Sequence, residues 1–209
     1  MESDLDINIV FAILVGYILG ALPLADRISR RRGIDIFSVG TGLAGASNVR
    51  KEAGSFSAVL VFLGDLAKGS LTVLCARILG VEGSWILIPI AAALLGHSKS
   101  VFSGFRGGDG FVTLAGACLI LFSYLGLLTI LISMLVQLGA QRMFYSSLFG
   151  VVIGYVFLVA SNIVFEGNLN LVLGFGGLIS LALAHAINGH RRRRHAIGWE
   201  EVNQKTGLK

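Results

Sequence analysis

Long runs of apolar residues alternate with short polar stretches along the whole of this chain. A helix needs about 20 predominantly apolar residues to cross the roughly 30 Å of bilayer hydrocarbon. By that measure the pattern predicts transmembrane helices over residues 7–25, 56–79, 85–101, 146–165 and 171–187. A further apolar run, residues 111–139, is long for one such helix and short for two.

The positions of the arginines decide how residues 111–139 are interpreted. One basic cluster, residues 27–32, follows the first apolar run, and another, residues 191–194, follows the last. Because basic loops are retained in the cytoplasm, both clusters should lie on the same side of the membrane. They do so only if residues 111–139 form a hairpin of two short helices that turns near Ser123 and Tyr124. The sequence therefore predicts an all-α polytopic membrane protein with about seven transmembrane helices, its N-terminus outside and its C-terminus cytoplasmic.

The composition excludes a soluble domain with a single anchor. Hydrophobic residues make up 55% of the chain and charged residues 14%, whereas about 25% of the residues of soluble domains are charged. The net charge of +5 is concentrated in the two basic clusters, which indicates membrane orientation rather than a nucleic-acid partner. We expect one integral membrane domain over residues 1–209, of which residues 189–209 form a basic cytoplasmic tail.

The N-terminus argues against a cleaved signal, and the cysteines argue against a cysteine-based site. Glu2, Asp4 and Asp6 precede the first apolar run without any Lys or Arg, so the basic region of a cleaved secretory signal is missing. Cys75 and Cys118 both lie within apolar runs. Lone cysteines in such runs act most simply as small apolar residues, so we expect neither a disulfide nor a metal site.

Two glycine-rich polar loops interrupt the apolar pattern. The first loop, residues 33–51, reads G-I-D-I-F-S-V-G-T-G-L-A-G-A-S-N-V-R-K, and the second loop, residues 104–110, reads G-F-R-G-G-D-G. The arrangement of spans places both loops and the basic tail on the cytoplasmic side. Backbone N–H groups in glycine-rich turns bind anions, and nearby Lys and Arg strengthen that binding. We therefore expect a phosphorylated ligand at the cytosolic interface.

Other interpretations of the first loop are weaker or neutral. Gly40, Gly42 and Gly45 match G-x-G-x-x-G, but a dinucleotide site requires a preceding strand, and the flanking segments here are membrane helices. A nucleotide phosphate loop would need a Lys where this chain has Ala46. An ordinary connection between helices remains an alternative for both loops.

Polar residues inside the apolar runs are the other candidates. Asp65 and Lys68 are three residues apart on one helix face, where a charged pair inside a span faces the protein interior, either as a structural pair or with a catalytic role. His97 ends its run, where a histidine caps the helix or acts in a site. His185 and Asn188 share one face of the last helix and are expected at the cytosolic mouth.

The sequence contains no Ser-His-Asp arrangement in a plausible setting, no H-E-x-x-H, no Cys-His metal spacing and no H-x-x-x-x-D. An enzyme of this sequence would therefore act without an obvious protein nucleophile, and we expect no cofactor and no metal.

Seven short motifs occur in a characteristic order. They are G-A-L-P at 20–23, D-I-F at 35–37, G-T-G-L-A-G-A-S-N-V-R-K at 40–51, D-L-A-K-G at 65–69, G-H at 96–97, V-F-S-G-F-R-G-G-D-G at 101–110 and H-A-I-N at 185–188. In order and spacing this set resembles the bacterial acyl-phosphate:glycerol-3-phosphate acyltransferases, the PlsY family. The resemblance implies a seven-span fold with a cytoplasmic site. It also implies transfer of a fatty acyl group from acyl phosphate to glycerol 3-phosphate, giving lysophosphatidate for phospholipid biosynthesis, with the acyl chain held between spans in contact with lipid.

The resemblance also implies roles for individual residues. Carried over by position, Lys68, His97 and His185 would be catalytic. The substrate-binding residues would be Gly40, Thr41, Gly42, Gly45, Ser47, Asn48 and Lys51 in the first loop, Arg106, Gly107, Gly108 and Gly110 in the second loop, and Asn188. The expected partners are acyl phosphate, glycerol 3-phosphate and membrane lipid.

Five positions depart from the family pattern. Ala21 stands where the family has Ser, Phe37 where it has Arg, Leu43 where it has Asn, Ser100 where it has Pro, and Asp109 where it has Lys. Two cationic phosphate contacts are thereby lost, and one of these positions carries the opposite charge.

Three alternatives follow from those departures. The chain could acylate an acceptor that is not a phosphate monoester, or it could be a lipid-binding relative without activity. A transporter is the more distant alternative, since no inverted repeat is visible in the sequence. Arg50 and Lys99 are candidates for replacing the lost positive charge.

Overall fold

The computed structural model describes residues 2–140 and 146–206, with side chains described for residues 7–140 and 148–188. This part of the chain is helical apart from turns and one isolated β-bridge between Ser100 and Arg106. The α-helices are α1 (Glu2–Ala21), α2 (Leu24–Arg30), α3 (Ala46–Ala53), α4 (Ser55–Ile78), α5 (Leu87–Ser98), α6 (Phe111–Gly139), α7 (Ser146–Val164) and α8 (Leu169–Thr206). Short 3-10 turns lie at Gly83–Ile86 and Val101–Ser103.

Helix α6 is a hairpin rather than one long helix. Ser123 has φ 49° and ψ −120°, a conformation that interrupts the helix. A methyl group added at Gly126 would overlap the carbonyl of Cys118, although residues eight apart in a continuous helix are separated by about 12 Å. The chain therefore reverses at Ser123, with one arm at 111–122 and the other at 124–139. The predicted hairpin is confirmed.

Seven apolar helical segments result within the described residues. Four helical stretches are long and apolar enough to cross a membrane, and two apolar helices are shorter. The long ones are Ile7–Arg30, Ser55–Ile78, Phe111–Gly139 and Leu169–Asn188, and the short ones are Gly83–Ser98 and Leu148–Val164. Since α6 contributes two arms, the fold has the seven segments that the sequence predicts.

Several helix boundaries differ from the predicted spans, and those of α1 and α8 differ most. Helix α1 ends at Ala21 instead of residue 25, because Pro23 lacks an N–H and its ring obstructs the preceding turn. The chain resumes as the short helix α2. Helix α8 continues to Thr206 instead of ending at residue 187. The side chains of the basic run 191–194 lie outside the described residues.

Glycines allow the helices around the second loop to approach closely. In α1, Gly20 lies against the backbone of Ala93 in α5, and in α4, Gly69 lies against the backbone of Thr113 in α6. An added Cβ at either glycine would overlap backbone atoms that cannot move independently. Packing of small residues brings transmembrane helices together in this way. Helices α1 and α5, and likewise α4 and α6, are thus held side by side near the second loop.

A second, smaller core fixes the first loop. Ile36 and Val49 are fully buried in it, and they pack with Ala25 of α2 and with Ala58 and Val61 of α4. A loop that buries two branched side chains resists rearrangement, since exposing each would cost about 1.5–3 kcal/mol. The first loop is therefore a packed part of the fold, against the alternative of an ordinary flexible connection.

Candidate active site

The side chain of Asn48 organises the first loop from its centre. Its Oδ1 accepts the N–H of Thr41 at 3.0 Å. Its Nδ2 donates toward the carbonyls of Ile36, Val39 and Leu43 at 3.1–3.3 Å. Asn48 is 2% exposed, so its amide stabilises the loop backbone instead of facing solvent.

Glycines shape the loop around that amide. Gly40 and Gly42 have φ values of 60° and 67°, in the left-handed region that side chains disfavour. A Cβ at Gly40 would overlap the carboxamide of Asn48. Gly45 is the N-cap of α3, and the N–H groups of Ala46 and Ser47 have no hydrogen-bond acceptor among the described residues. Free N–H groups at a helix start favour an anion.

A buried polar cluster lies beneath the two loops. Lys68 Nζ donates to Asp65 Oδ1 at 2.7 Å, and His97 Nδ1 lies 3.8 Å from the same oxygen. Thr113 Oγ1 is 3.3 Å from His97 Nδ1. Asp65, Lys68 and His97 are 2%, 4% and 6% exposed. The Asp65 carboxylate thus pairs with the Lys68 ammonium and lies near the His97 imidazole. All three groups are buried, where an unpaired charge would be unfavourable.

The second loop is joined to both the cluster and the first loop. Gly108 N donates to the carbonyl of His97 at 3.2 Å, and Ala44 N donates to the carbonyl of Gly107 at 3.1 Å. A Cβ at Gly107 would overlap the His97 carbonyl, and one at Gly108 would overlap His97 Nε2. Glycine is therefore required sterically at both positions.

These elements line a small cavity of about 250 Å³ that is partly open to solvent. Helices α1, α2, α4 and α5 line it together with the second loop. Its polar lining includes Asp26, Asp65, Lys68, His97, Ser103 and Arg106. The mixture of charged groups and hydroxyls suits a polar ligand, and the cavity lies at the end of the bundle that carries both glycine-rich loops.

Arg106 differs from Lys68, which also lines the cavity, and from Arg30 in its ion pairing. Lys68 is paired with Asp65, and Arg30 is paired with Asp26 at 2.7 Å. Within the described residues no carboxylate lies within ion-pair distance of Arg106. Its guanidinium carbon instead lies 4.5 Å from the centre of the Phe37 ring. Arg106 therefore carries a positive charge that an anionic ligand can use.

Asp109 lies two residues before the first residue of the α6 hairpin. Its Oδ1 accepts the N–H of Phe111 at 3.3 Å, and Oδ2 lies 4.0 Å from where a Cβ at Gly45 would be. Loss of hydration raises the pKa of this carboxyl to about 6; the Phe111 N–H opposes that change and the nearby Asp65 charge adds to it. The residue thus caps one helix while its other oxygen faces the first loop.

Only part of the predicted set lines the cavity. Lys68, His97, Arg106, Gly107 and Gly108 do so, whereas Gly110 is the N-cap of α6 and is not part of the lining. Thr41, Gly42 and Asn48 lie in the first loop, whose residue at the cavity is Ala44.

The remaining predicted residues lie at the edge of this region. Ser47 and Lys51 are exposed on α3. His185 on α8 is within electrostatic range of His97, and Asn188 is exposed three residues further along α8.

Sequence reasoning missed three polar residues of this region. Asp26 and Ser103 line the cavity, and Thr113 contacts His97. Asp26 directly precedes the basic cluster 27–32, and the pattern there is dominated by the arginines. The only signal for Thr113 is a hydroxyl in an apolar run, and such hydroxyls usually bond their own helix backbone.

Comparison with known proteins adds to this geometry. The family model described as glycerol-3-phosphate acyltransferase matches residues 10–195. Glycerol-3-phosphate acyltransferase 1 of Deinococcus radiodurans is 42% identical over 124 residues, which are 59% of this chain and 63% of the relative, less than two thirds of its length. The glycerol-3-phosphate acyltransferase of Rubrobacter xylanophilus is 40% identical over 148 residues, 70% of this chain and 72% of that relative.

A solved structure agrees over almost the whole chain. The crystal structure of PlsY (YgiH), an integral membrane glycerol 3-phosphate acyltransferase in its glycerol 3-phosphate form, matches with a TM-score of 0.71 and 27% identity. The match covers 96% of this chain and 94% of that one. By family match, sequence identity and fold together, this chain belongs to the glycerol-3-phosphate acyltransferase family.

Proposed function

We propose that the protein transfers a fatty acyl group from acyl phosphate to the 1-hydroxyl of glycerol 3-phosphate, giving lysophosphatidate at the cytoplasmic face of the cell membrane. The observation that carries this proposal is the cavity lined by Lys68, His97 and Arg106 in a chain of this family. Relatives named for this activity and a relative crystallised in a glycerol 3-phosphate form support it.

The phosphate of the acceptor binds at the junction of the two loops. Arg106 supplies a cation that no described carboxylate neutralises, and Ala46 and Ser47 supply N–H groups at the start of α3. A charge-assisted hydrogen bond contributes about 1.5–3 kcal/mol. Asn48 positions the loop for this contact through its bonds to the backbone, and Lys51 adds positive charge nearby.

The chemistry needs no protein nucleophile, because acyl phosphate is already activated. The acceptor hydroxyl attacks the acyl carbonyl carbon, a new C–O ester bond forms, and the C–O bond to phosphate breaks. The hydroxyl proton leaves with the inorganic phosphate product. Holding the two substrates together accounts for much of the rate in such reactions, and nearby cationic groups stabilise the developing charge.

His97, Lys68 and His185 are the catalytic side chains of this proposal. The contacts of His97 Nδ1 with Thr113 and Asp65 fix the ring, and Nε2 lies beside Gly108, at the cavity wall. Lys68 is fixed by its bond to Asp65. A fixed imidazole and ammonium favour a developing negative charge without reorganising during the reaction.

A larger apolar cavity is proposed to take the acyl chain. It measures about 720 Å³, including its open side, and it lies among α4, both arms of α6, α7 and α8. Phe111, next to Gly110 of the second loop, lines it together with Phe62, Tyr155 and Phe175. An acyl chain bound there would start beside the polar cavity and remain among membrane helices.

The activity is tested with purified protein in detergent, given acyl phosphate and glycerol 3-phosphate, with lysophosphatidate measured by mass spectrometry. Arg106→Gln should raise the KM for glycerol 3-phosphate about 10- to 100-fold through loss of one charge-assisted contact. The matched control is Arg77→Gln, which removes the same charge from the last turn of α4. It should leave the KM for glycerol 3-phosphate unchanged. If only unphosphorylated acceptors are acylated, the result favours an enzyme whose acceptor is not a phosphate monoester. If folded protein forms no product at all, the result favours a lipid-binding relative without activity.

The orientation is tested by labelling with an impermeant thiol reagent in intact cells. In a background with Cys75 and Cys118 replaced by alanine, Arg192→Cys should label only after the membrane is opened. Glu82→Cys, in the turn between α4 and α5, should label from outside. The reverse pattern would contradict a cytoplasmic C-terminus.

A further inference from the structure

The contact between Arg106 and Phe37 joins the two glycine-rich loops at the mouth of the polar cavity. The Arg106 guanidinium carbon lies 4.5 Å from the centre of the Phe37 ring, well within the roughly 6 Å over which a cation is attracted to a ring face. Arg106 also lines the cavity, whereas Phe37 does not. The ring therefore contacts Arg106 without itself lining the cavity.

Phe37 is itself held firmly. Its N–H donates to Asp35 Oδ1 at 3.1 Å, and its half-buried side chain packs on the small core next to fully buried Ile36. A positive φ at Gly42 lets that turn pass close to the Phe37 carbonyl. The ring thus belongs to the packed loop and can act as a fixed support.

Arg106 lacks any comparable support of its own. It is an exposed residue that follows Phe105, whose φ is 60°, and a free arginine side chain loses about 1.5–2 kcal/mol of conformational entropy when it is fixed. Its backbone joins the short bridge to Ser100, so the chain fixes where the side chain begins but not where it ends. The contact with Phe37 restricts the guanidinium end.

A ring supports a guanidinium without neutralising it. A carboxylate partner would use the N–H groups and cancel the charge, as Asp26 does for Arg30. A guanidinium over a ring face keeps its N–H groups at its edge, where they can bind a phosphate with two parallel hydrogen bonds. Arginine gains more from such a contact than lysine does, since its planar group also stacks.

We propose that Phe37 is a positioning residue that holds the Arg106 guanidinium at the cavity for the phosphate of the acceptor substrate. This rests on the proposed function, and it gives Phe37 a specific task at a position where the family pattern has an arginine. The aromatic ring makes one arginine more effective, because less of the binding energy is spent on fixing that side chain.

Kinetics of Phe37→Leu test the proposal. The KM for glycerol 3-phosphate should rise about two- to five-fold, the size expected from losing a cation–ring contact at a solvent-accessible site, while kcat changes little. Phe37→Trp keeps an aromatic face and should restore the wild-type KM. Phe105→Leu removes a neighbouring exposed phenyl group and should leave KM unchanged.

A double-mutant cycle separates positioning from general packing. If Phe37 acts through Arg106, Phe37→Leu should have no further effect on KM in an Arg106→Gln background. An equal rise in both backgrounds would overturn the proposal, as would an unchanged KM in folded Phe37→Leu protein. A wild-type protein that forms no lysophosphatidate would instead refute the proposed function itself, and the inference would fall with it.

Discussion

Asp109→Asn should make this protein more stable at neutral and mildly alkaline pH. Burial raises the pKa of Asp109 from 3.8 to about 6, so the ionised carboxylate is less favourable in the folded chain than in the unfolded one. The substitution removes that charge. Its amide oxygen can still accept the N–H of Phe111, as Asp109 Oδ1 does at 3.3 Å, so the start of α6 keeps its cap.

The size and sign of the effect follow from the two pKa values. A pKa about two units above its ordinary value corresponds to about 3 kcal/mol against the ionised form. Because the side chain is only partly buried, we halve this to about 1.5 kcal/mol. The penalty is complete above pH 6 and is lost as pH falls toward 3.8. For a chain of this size the gain in Tm is about 3–6 °C near pH 8, and it should fall by about half near pH 5.

The assay is thermal unfolding in one detergent at pH 8, 7, 6 and 5, with wild type and variant compared at each pH. Glu52→Gln removes the same charge from an exposed position on α3, and its Tm difference from wild type should stay small throughout. A variant at Asp109 that is equally stabilised at all four pH values would refute titration as the cause. One that is less stable than wild type at pH 8 would refute the unfavourable carboxylate altogether.

Three further substitutions test the site. Asp109→Lys should lower the KM for glycerol 3-phosphate roughly five-fold, of the order expected for a change of charge at a partly solvated position; an unchanged or raised KM would mean that Asp109 does not face the phosphate. Asn48→Ala should destabilise the protein by about 2–4 kcal/mol, because buried backbone groups of the first loop lose their partners, and an unchanged Tm would contradict that role. Lys68→Met should cost about 3–5 kcal/mol by leaving Asp65 buried without its partner, with Asp65→Asn/Lys68→Met recovering part of the lost Tm; a double variant no more stable than Lys68→Met would contradict this account.

The hairpin in α6 could be predicted from the sequence because it follows from the arrangement of the whole chain in the membrane. Two basic clusters and a run of 29 residues admit few arrangements, and the requirement that both clusters be cytoplasmic selects one with an extra turn. The turn at Ser123 needs no local signal of its own. The end of α8 could not be predicted in the same way. Hydropathy indicates where a segment stops being apolar, whereas the helix continues beyond that point.

The sequence alone could not distinguish residues that shape the site from residues that line it. Asn48 and Arg106 are both polar residues in glycine-rich loops, and composition treats them alike. Their roles differ because the Asn48 amide lies among backbone groups of its own loop, whereas the Arg106 guanidinium lies at a cavity without an acidic partner among the described residues. Which polar groups are already satisfied depends on atoms that are distant in sequence, so only the three-dimensional arrangement can decide it.

The departures from the family pattern acquire a physical meaning once their contacts are known. Phe37 and Asp109, taken separately, remove positive charge from a phosphate site. In the structure Phe37 lies against Arg106, and Asp109 caps α6 with a carboxyl that loses hydration. A supported arginine offsets the missing cation in one loop, and a carboxyl with a raised pKa carries less negative charge as pH falls. If both hold, Asp109→Asn should improve binding of glycerol 3-phosphate most at alkaline pH, and Phe37→Leu should weaken it to a similar degree at every pH.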